Sequence, residues 1–219
     1  MITHLLLDLD GTLVDSSPGI YHSFVLACEK FCLPPPGYQE FCPLIGPPVQ
    51  KIAARLYPDF EPVPLEEFRR LFRDDYDNMR YRMADWYPEV RDTLKQLSGN
   101  PDISISIVTN KPTRPALDLV RGEGLVSCFS RIVGIDYLAA HSAGPFFSSK
   151  AEALSYVLLS SSSELGQSIY VGDTPSDQEA CDRCNLPFIA CLYGFHHWHQ
   201  QQMPPRCIER FGEIQSFLY

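Results

Sequence analysis

An α/β fold, built on a parallel sheet covered on both faces and carrying an all-helical unit after its first strand, is what the sequence predicts. Three observations lead there. From residue 88 onward, short apolar runs alternate with stretches of helical period, the pattern of a sheet whose crossovers are helices. Between residues 19 and 83 the periodic segments are helical, with no strand signal among them. Polar clusters recur where the predicted strands end or the following helix starts, and open parallel sheets hold their ligands at the carboxyl ends of strands.

The elements follow in order. Residues 2–9 read as a buried strand around Leu5, Leu6 and Leu7, leading into a glycine turn at Gly11. Residues 15–18 are polar and turn-like. Residues 20–31 have helical spacing through Phe24, Val25, Cys28 and Phe31, and Pro34, Pro35, Pro36 and Gly37 stop them. Residues 38–57 form a second helical stretch, interrupted at Gly46, Pro47 and Pro48. Residues 65–83 read as a charged amphipathic helix with Leu65, Phe68, Leu71, Phe72 and Tyr76 on one side. Pro88 suits a helix's first turn, and Val90, Leu94 and Leu97 give that helix its apolar face. Residues 103–108 form a strand running into Thr109 and Asn110. Residues 113–121 are a helix closed by Gly122, and residues 131–135 a short strand. Ser148 and Ser149 are good caps for a helix over 150–159, and residues 160–163 are a short serine loop. A strand over 168–171 ends at Gly172 and Asp173. A helix over 176–185, a strand over 187–192 and a terminal helix over 208–218 complete the chain.

With 219 residues, 45% of them hydrophobic, the chain can bury one sizeable core plus a smaller unit. Its formal charge of -9 argues against nucleic-acid and membrane partners, which need a basic surface. It says nothing against a small phosphorylated substrate, which meets only local groups. No segment approaches the roughly 20 apolar residues of a spanning helix, and no leader pattern opens the chain. A soluble, cytoplasmic protein, monomer or homodimer, is the expectation. Of the eight cysteines, Cys181 and Cys184 form a C-x-x-C with no second pair at zinc-finger distance. The others sit among apolar residues and read as reduced, structural thiols.

The chemistry concentrates in four clusters: Asp8 with Asp10, Thr109 with Asn110, Ser149 with Lys150, and Asp173 with Asp177. A carboxylate such as Asp8 can attack phosphorus and split hydrolysis into two easier steps. Asp10, two residues on, is near enough to protonate a leaving oxygen and then activate water. Asp173 and Asp177 add hard oxygen ligands of the kind Mg²⁺ prefers. Thr109 offers a hydroxyl and a backbone N–H to phosphoryl oxygens, and Lys150 a positive charge that eases attack of one anion on another. Singly, each cluster has a plainer explanation. Asp177 would serve as a helix-capping acid, Thr109 and Asn110 as a strand-end turn, Lys150 as a surface charge. A calcium loop at Asp8 fails because its glycine would stand at the sixth position, not the fourth. His196, His197 and His199 read as a solvated loop. Arg69, Arg70 and Arg73 read as a solvated helix face among Glu66, Glu67, Asp74 and Asp75.

Taken together, Asp8 to Asp15, Val108 to Pro112, Lys150, and Val171 to Asp177 closely resemble the four motifs of the haloacid dehalogenase-like hydrolases. The resemblance implies a Rossmann-like core over residues 1–15 and 87–219 and a helical cap over 16–86. It implies Asp8 as nucleophile, Asp10 as acid and base, and a Mg²⁺ held by Asp8, the Asp10 carbonyl and Asp173, with Asp177 in support. Asp10 also sets the chain apart from the metal-free dehalogenase branch. Thr109 to Pro112, and Ala190 to Phe195, resemble phosphoglycolate phosphatase-like members. The residues implied to bind substrate are Thr109, Asn110, Lys150 and Gly46 of the cap loop. Two features depart from the pattern: Ala151 stands where many members have proline, and residues 41–49 carry no charge, so a substrate carboxylate would look to Lys51, Arg55 or backbone amides. The expectation is a Mg²⁺-dependent phosphatase of a small phosphorylated metabolite. The alternatives are an inorganic pyrophosphatase or nucleotide phosphatase, a phosphosugar mutase, or a non-catalytic phosphate-binding protein.

Overall fold

Strand β1 (His4–Leu7) is buried along its whole length, as a strand covered on both faces must be. The computed structural model, which describes residues 2–59, 62–137, 146–161 and 165–218, sets β1 inside the sheet. Leu5 and Leu7 enter one apolar cluster and Leu6 the other, the two-residue alternation of a strand between layers.

After β1 the chain forms a two-residue strand, β2 (Val14–Asp15), paired antiparallel with β3 (Asp85–Trp86). Between them run the inserted helices α1 (Ser17–Lys30), α2 (Tyr38–Phe41), α3 (Val49–Leu56) and α4 (Pro62–Tyr76). Their apolar faces meet in an aromatic group, with Phe24 4.6 Å from Phe41 and 5.1 Å from Phe68 between ring centres. The same cluster continues into the Leu5 and Leu7 face of the sheet, so the insertion packs on the sheet layer.

The helix α5 (Val90–Ser98) leads to β4 (Ser104–Val108), and α6 (Thr113–Gly122) to β5 (Arg131–Val133). Then α7 (Lys150–Leu159), β6 (Ser168–Gly172), α8 (Pro175–Arg183), β7 (Phe188–Cys191) and β8 (Cys207–Ile208) complete the sheet. The order is β5-β4-β1-β6-β7-β8 with every pairing parallel. Leu7 stands opposite both Ile107 and Val171, so the carboxyl ends of β1, β4 and β6 are level. Connections run outward from β1 on one side and then cross to the other. That reversal is the switch point at which such sheets open a ligand crevice. Among the described residues no helix is long and apolar enough to cross a membrane.

Several expected boundaries shift. The helix expected over 65–83 ends at Tyr76. The Asn78 side chain donates to the Asp74 carbonyl at 2.6 Å, satisfying a last-turn acceptor that would otherwise draw the helix onward. A 3-10 turn, Arg80–Arg82, follows. The stop after α6 is not Gly122, which stays helical, but Gly124 at φ 68°, where the Leu125 amide returns to the Val120 carbonyl at 3.0 Å. The terminal helix expected over 208–218 is instead β8 and a 3-10 segment, Phe211–Phe217. Of the predicted serine loop, Ser162 and Ser163 lie outside the described residues.

Candidate active site

Three clusters sit where a strand hands over to a turn or helix, and the fourth, Ser149 with Lys150, opens a helix. The Asp8 amide donates to the Val171 carbonyl at 2.9 Å, carrying the β1–β6 ladder one residue past Leu7 and aiming the carboxylate out of the sheet's end. Gly11 then turns the chain at φ 81°, a conformation that favours glycine. Lys150 is the first residue of α7, whose Ser149 cap accepts from the Glu152 amide at 3.3 Å. Asp177 is the third residue of α8 and closes a capping box with Thr174, whose amide and hydroxyl donate to Oδ2 at 2.9 and 2.7 Å. The capping explanation of Asp177 thus holds for Oδ2, while Oδ1 receives the Lys150 ammonium. One side chain does both.

Lys150 also donates to Asp8 Oδ2 at 2.7 Å, and its side chain is 6% exposed. Oxygens of Asp8, Asp173 and Asp177 lie within 4.8 Å of one another. One ammonium cannot neutralise three buried carboxylates. Burial, with the Asp177 charge nearby, pushes the Asp8 carboxyl up to about 6 against the pull of Lys150. Burial, Asp177 and Asp8 together raise Asp173 well above the carboxylate range. Burial opposes the charge on Lys150, but Asp177 and Asp8 outweigh it and hold the ammonium protonated.

Two oxygens in this group are buried with no hydrogen-bond partner: Asp8 Oδ1 and Asp173 Oδ1. Such atoms are costly to leave unmet. Asp173 Oδ2 takes the Phe195 amide at 2.8 Å, which fixes the carboxylate without satisfying its other oxygen. A buried set of hard oxygen donors, short of positive charge and with two lone pairs open, fits a divalent cation of the Mg²⁺ and Ca²⁺ type. Asp177, with both oxygens already engaged, supports the set through Lys150.

Asp173 is packed from two sides by glycine. A side chain at Gly194 would overlap both the Asp173 side chain and the Gly11 carbonyl, and one at Gly11 would overlap the Asp173 carboxylate. Because one obstacle is backbone, Gly194→Ala cannot relax by a rotamer change. It is expected to cost about 1–3 kcal/mol of stability and to displace Asp173. Thermal unfolding of the variant checks the cost.

The cluster opens into a cavity of about 430 Å³ between the sheet's carboxyl end and the inserted helices. Asp8, Asp10, Thr109, Asn110, Lys150 and Asp173 all line it, as does Gly46. Gly46, at φ 133°, comes so near that an added Cβ would lie 3.1 Å from the Thr174 methyl, so the loop of the insertion reaches the core turn. The hydroxyl of Thr109 accepts the Lys111 amide at 3.2 Å. Its own N–H, however, donates to the Val133 carbonyl at 3.0 Å, because the β4–β5 ladder runs one residue past Val108. The amide expected for a phosphoryl oxygen is therefore spent in the sheet.

Two cavity cations, Arg73 and Lys111, are not among the expected site residues. Arg73, which reads as part of a solvated face, lines the cavity while bridging to Asp77 at 3.2 Å. Of the two cations to which a substrate carboxylate would look, Lys51 lines the cavity and Arg55 is not among the lining residues. Lys111, within the Val108 to Pro112 motif, is 1% exposed and donates to Asp10 Oδ1 at 2.9 Å and to the Tyr76 hydroxyl at 2.6 Å. The residue types carried the signal: a lysine three positions past a buried strand, and a tyrosine at the end of an otherwise apolar stripe. The cysteines are unpaired and, apart from Cys32, buried or half-buried. Among the described residues the only cluster suited to a metal is the Asp8, Asp173 and Asp177 group, and no histidine joins it.

Comparison with known proteins adds an independent line. A sequence model for the family described as haloacid dehalogenase-like hydrolase matches residues 5–191. Curated relatives include a phosphoglycolate phosphatase of Aliivibrio fischeri, 26% identical over 197 residues, covering 87% of this chain and 84% of the relative. Another, from Yersinia pseudotuberculosis, is 29% identical over 198 residues, covering 87% and 81%. Among solved structures, a haloacid dehalogenase-like family hydrolase from Streptococcus pneumoniae superposes with a TM-score of 0.86 at 25% identity, covering 100% of this chain and 99% of that one.

Proposed function

The chain belongs to the haloacid dehalogenase-like hydrolase family, and from that premise we propose a Mg²⁺-dependent phosphatase that hydrolyses a small phosphorylated metabolite of the phosphoglycolate class through an aspartyl-phosphate on Asp8. The observation that carries this reading is the buried group of Asp8, Asp173 and Asp177 around Lys150, with two open oxygens, at the mouth of the cavity.

The residues divide the work as follows. A carboxylate oxygen of Asp8 bonds to phosphorus while the bond from phosphorus to the leaving oxygen breaks. That oxygen takes the proton carried by Asp10. Asp10, now a carboxylate, takes a proton from water as the water oxygen bonds to phosphorus. The bond between Asp8 and phosphorus breaks, and inorganic phosphate leaves. Lys150 keeps Asp8 oriented and offsets the charge of two approaching anions. The Thr109 hydroxyl holds a phosphoryl oxygen, Asn110 and Gly46 line the substrate space, and the inserted helices keep bulk water out. Mg²⁺, held by Asp8, Asp173 and the Asp10 main-chain carbonyl with Asp177 in support, would supply the charge neutralisation that lets a phosphate approach carboxylates.

The substrate assignment rests on two supports. The relatives named above are phosphoglycolate phosphatases. The cavity wall also carries two cations from the insertion, Lys51 and Arg73, where the loop over 41–49 offered none. They are suited to a substrate carboxylate. A phosphate-release screen over phosphoglycolate, pyrophosphate, sugar phosphates and nucleoside monophosphates tests the reading. Phosphoglycolate is expected to lead, EDTA to stop release and Mg²⁺ to restore it. Release indifferent to EDTA would overturn the metal assignment. Isomerised sugar phosphate would point to a mutase, and binding without release to a non-catalytic protein.

A further inference from the structure

Lys111 and Tyr76 join the insertion to the acid–base residue through a single buried ammonium. Lys111 Nζ lies 2.9 Å from Asp10 Oδ1 and 2.6 Å from the Tyr76 hydroxyl, and it sits 4.7 Å from the centre of the Tyr76 ring. Tyr76 is the last residue of α4, fixed in place by stacking on Phe72 at 5.4 Å. The Lys111 backbone is equally fixed. Its amide bonds the Thr109 hydroxyl, its carbonyl accepts from Ile135 at 3.3 Å, and only a glycine at position 134 fits against it. Asp10, by contrast, has a side chain 22% exposed to the cavity and gains from the ammonium a fixed point for one oxygen.

We infer that Tyr76 is a positioning residue: through Lys111 it holds the Asp10 carboxyl in its proton-transfer position. The inference rests on the phosphatase reading above. A buried ammonium must keep its acceptors. With α4 in place, Lys111 has the hydroxyl and the ring face as a second anchor, and its reach to Asp10 is set. One oxygen pinned by Lys111 leaves the other to carry the transferred proton.

A leaving-group comparison tests this. An alkyl phosphate needs its departing oxygen protonated and p-nitrophenyl phosphate does not, and kcat/KM reports the first phosphoryl transfer for each. Tyr76→Phe keeps the ring and removes the hydroxyl. It is expected to lower kcat/KM for the alkyl ester by roughly ten- to a hundredfold and to leave the aryl ester within about threefold. Lys111→Met should show the same selectivity, and adding Tyr76→Phe to it should change nothing further. Equal losses on both esters, or a Tyr76→Phe effect that persists undiminished without Lys111, would overturn the inference. Should Tyr76→Phe not fold, the selectivity of Lys111→Met decides, and an equal loss there overturns it as well. Wild-type protein releasing phosphate from neither ester would instead sink the phosphatase reading, and the inference with it.

Discussion

Asp8→Asn is expected to lower phosphate release by roughly 10⁴-fold or more while the fold survives. An amide has the shape of the carboxylate, so the packing beside Val171 and Lys150 is kept, but it cannot form the acyl phosphate. The effect on stability should run the other way. In the cation-free protein, burial and the Asp177 charge push Asp8 up to about 6, above the ordinary carboxylate value of an unfolded chain. A group whose folded pKa is raised in this sense destabilises the fold when ionised. The loss grows as pH rises from about 4 to 6 and is complete above that window. Without divalent ions near pH 7.5, Asp8→Asn should therefore melt at the wild-type temperature or a few degrees above it. Circular dichroism melts and phosphate release, measured on the same preparation, check both halves. A variant keeping a tenth of wild-type turnover would rule Asp8 out as the nucleophile.

Lys150→Met should have the largest effect on the fold. Its ammonium contacts both Asp8 and Asp177, and Met preserves most of the buried stem while removing the charge. Breaking a buried pair from one side typically costs about 3–5 kcal/mol, which in a chain of this length lowers the melting temperature by roughly 10 °C. The loss should be greatest where the carboxylates are ionised. Asp8 and Asp173 already sit above their usual range. Without Lys150 they rise further, so the deficit should be wide at pH 8 and narrow as pH falls toward 5. Mg²⁺ should recover part of the stability, since it offsets the same charges, and little of the turnover. Equal melting temperatures for variant and wild type at pH 8 would show that the carboxylates do not depend on this lysine.

The polar clusters were legible because chemistry at strand ends leaves residue types that a buried sheet has no other use for. Asp8 after three leucines, and Asp173 after a buried strand and a glycine, are the clearest cases. Asp177 shows why single-residue explanations compete: Oδ2 closes the helix cap while Oδ1 takes the Lys150 ammonium. What stayed hidden depended on distance in sequence. Tyr76 belongs by its spacing to the apolar stripe of Phe68 and Phe72, and nothing local says that its hydroxyl reaches residue 111. Arg73 is surrounded by acids in the chain, yet the helix turns it toward the cavity. The amide of Thr109 reads as free from sequence because strand pairing past Val108 depends on where β5 lies, which residue patterns do not report. The β2–β3 ribbon and β8 have two residues each, too few to show any periodicity.

The central place of β1 has a consequence for how the polypeptide is assembled as it emerges from the ribosome. Its first partner, β4, lies about a hundred positions downstream, and its second, β6, farther still. At about 5–20 residues per second, β1 waits several seconds as an unpaired strand of one histidine and three leucines, whose two edges invite association with other nascent chains. The helices α1 to α4, whose contacts are nearer in sequence, can gather meanwhile. Vectorial synthesis would thus deliver the helical insertion first and the sheet last, with β1 covered on both edges only on the arrival of β6.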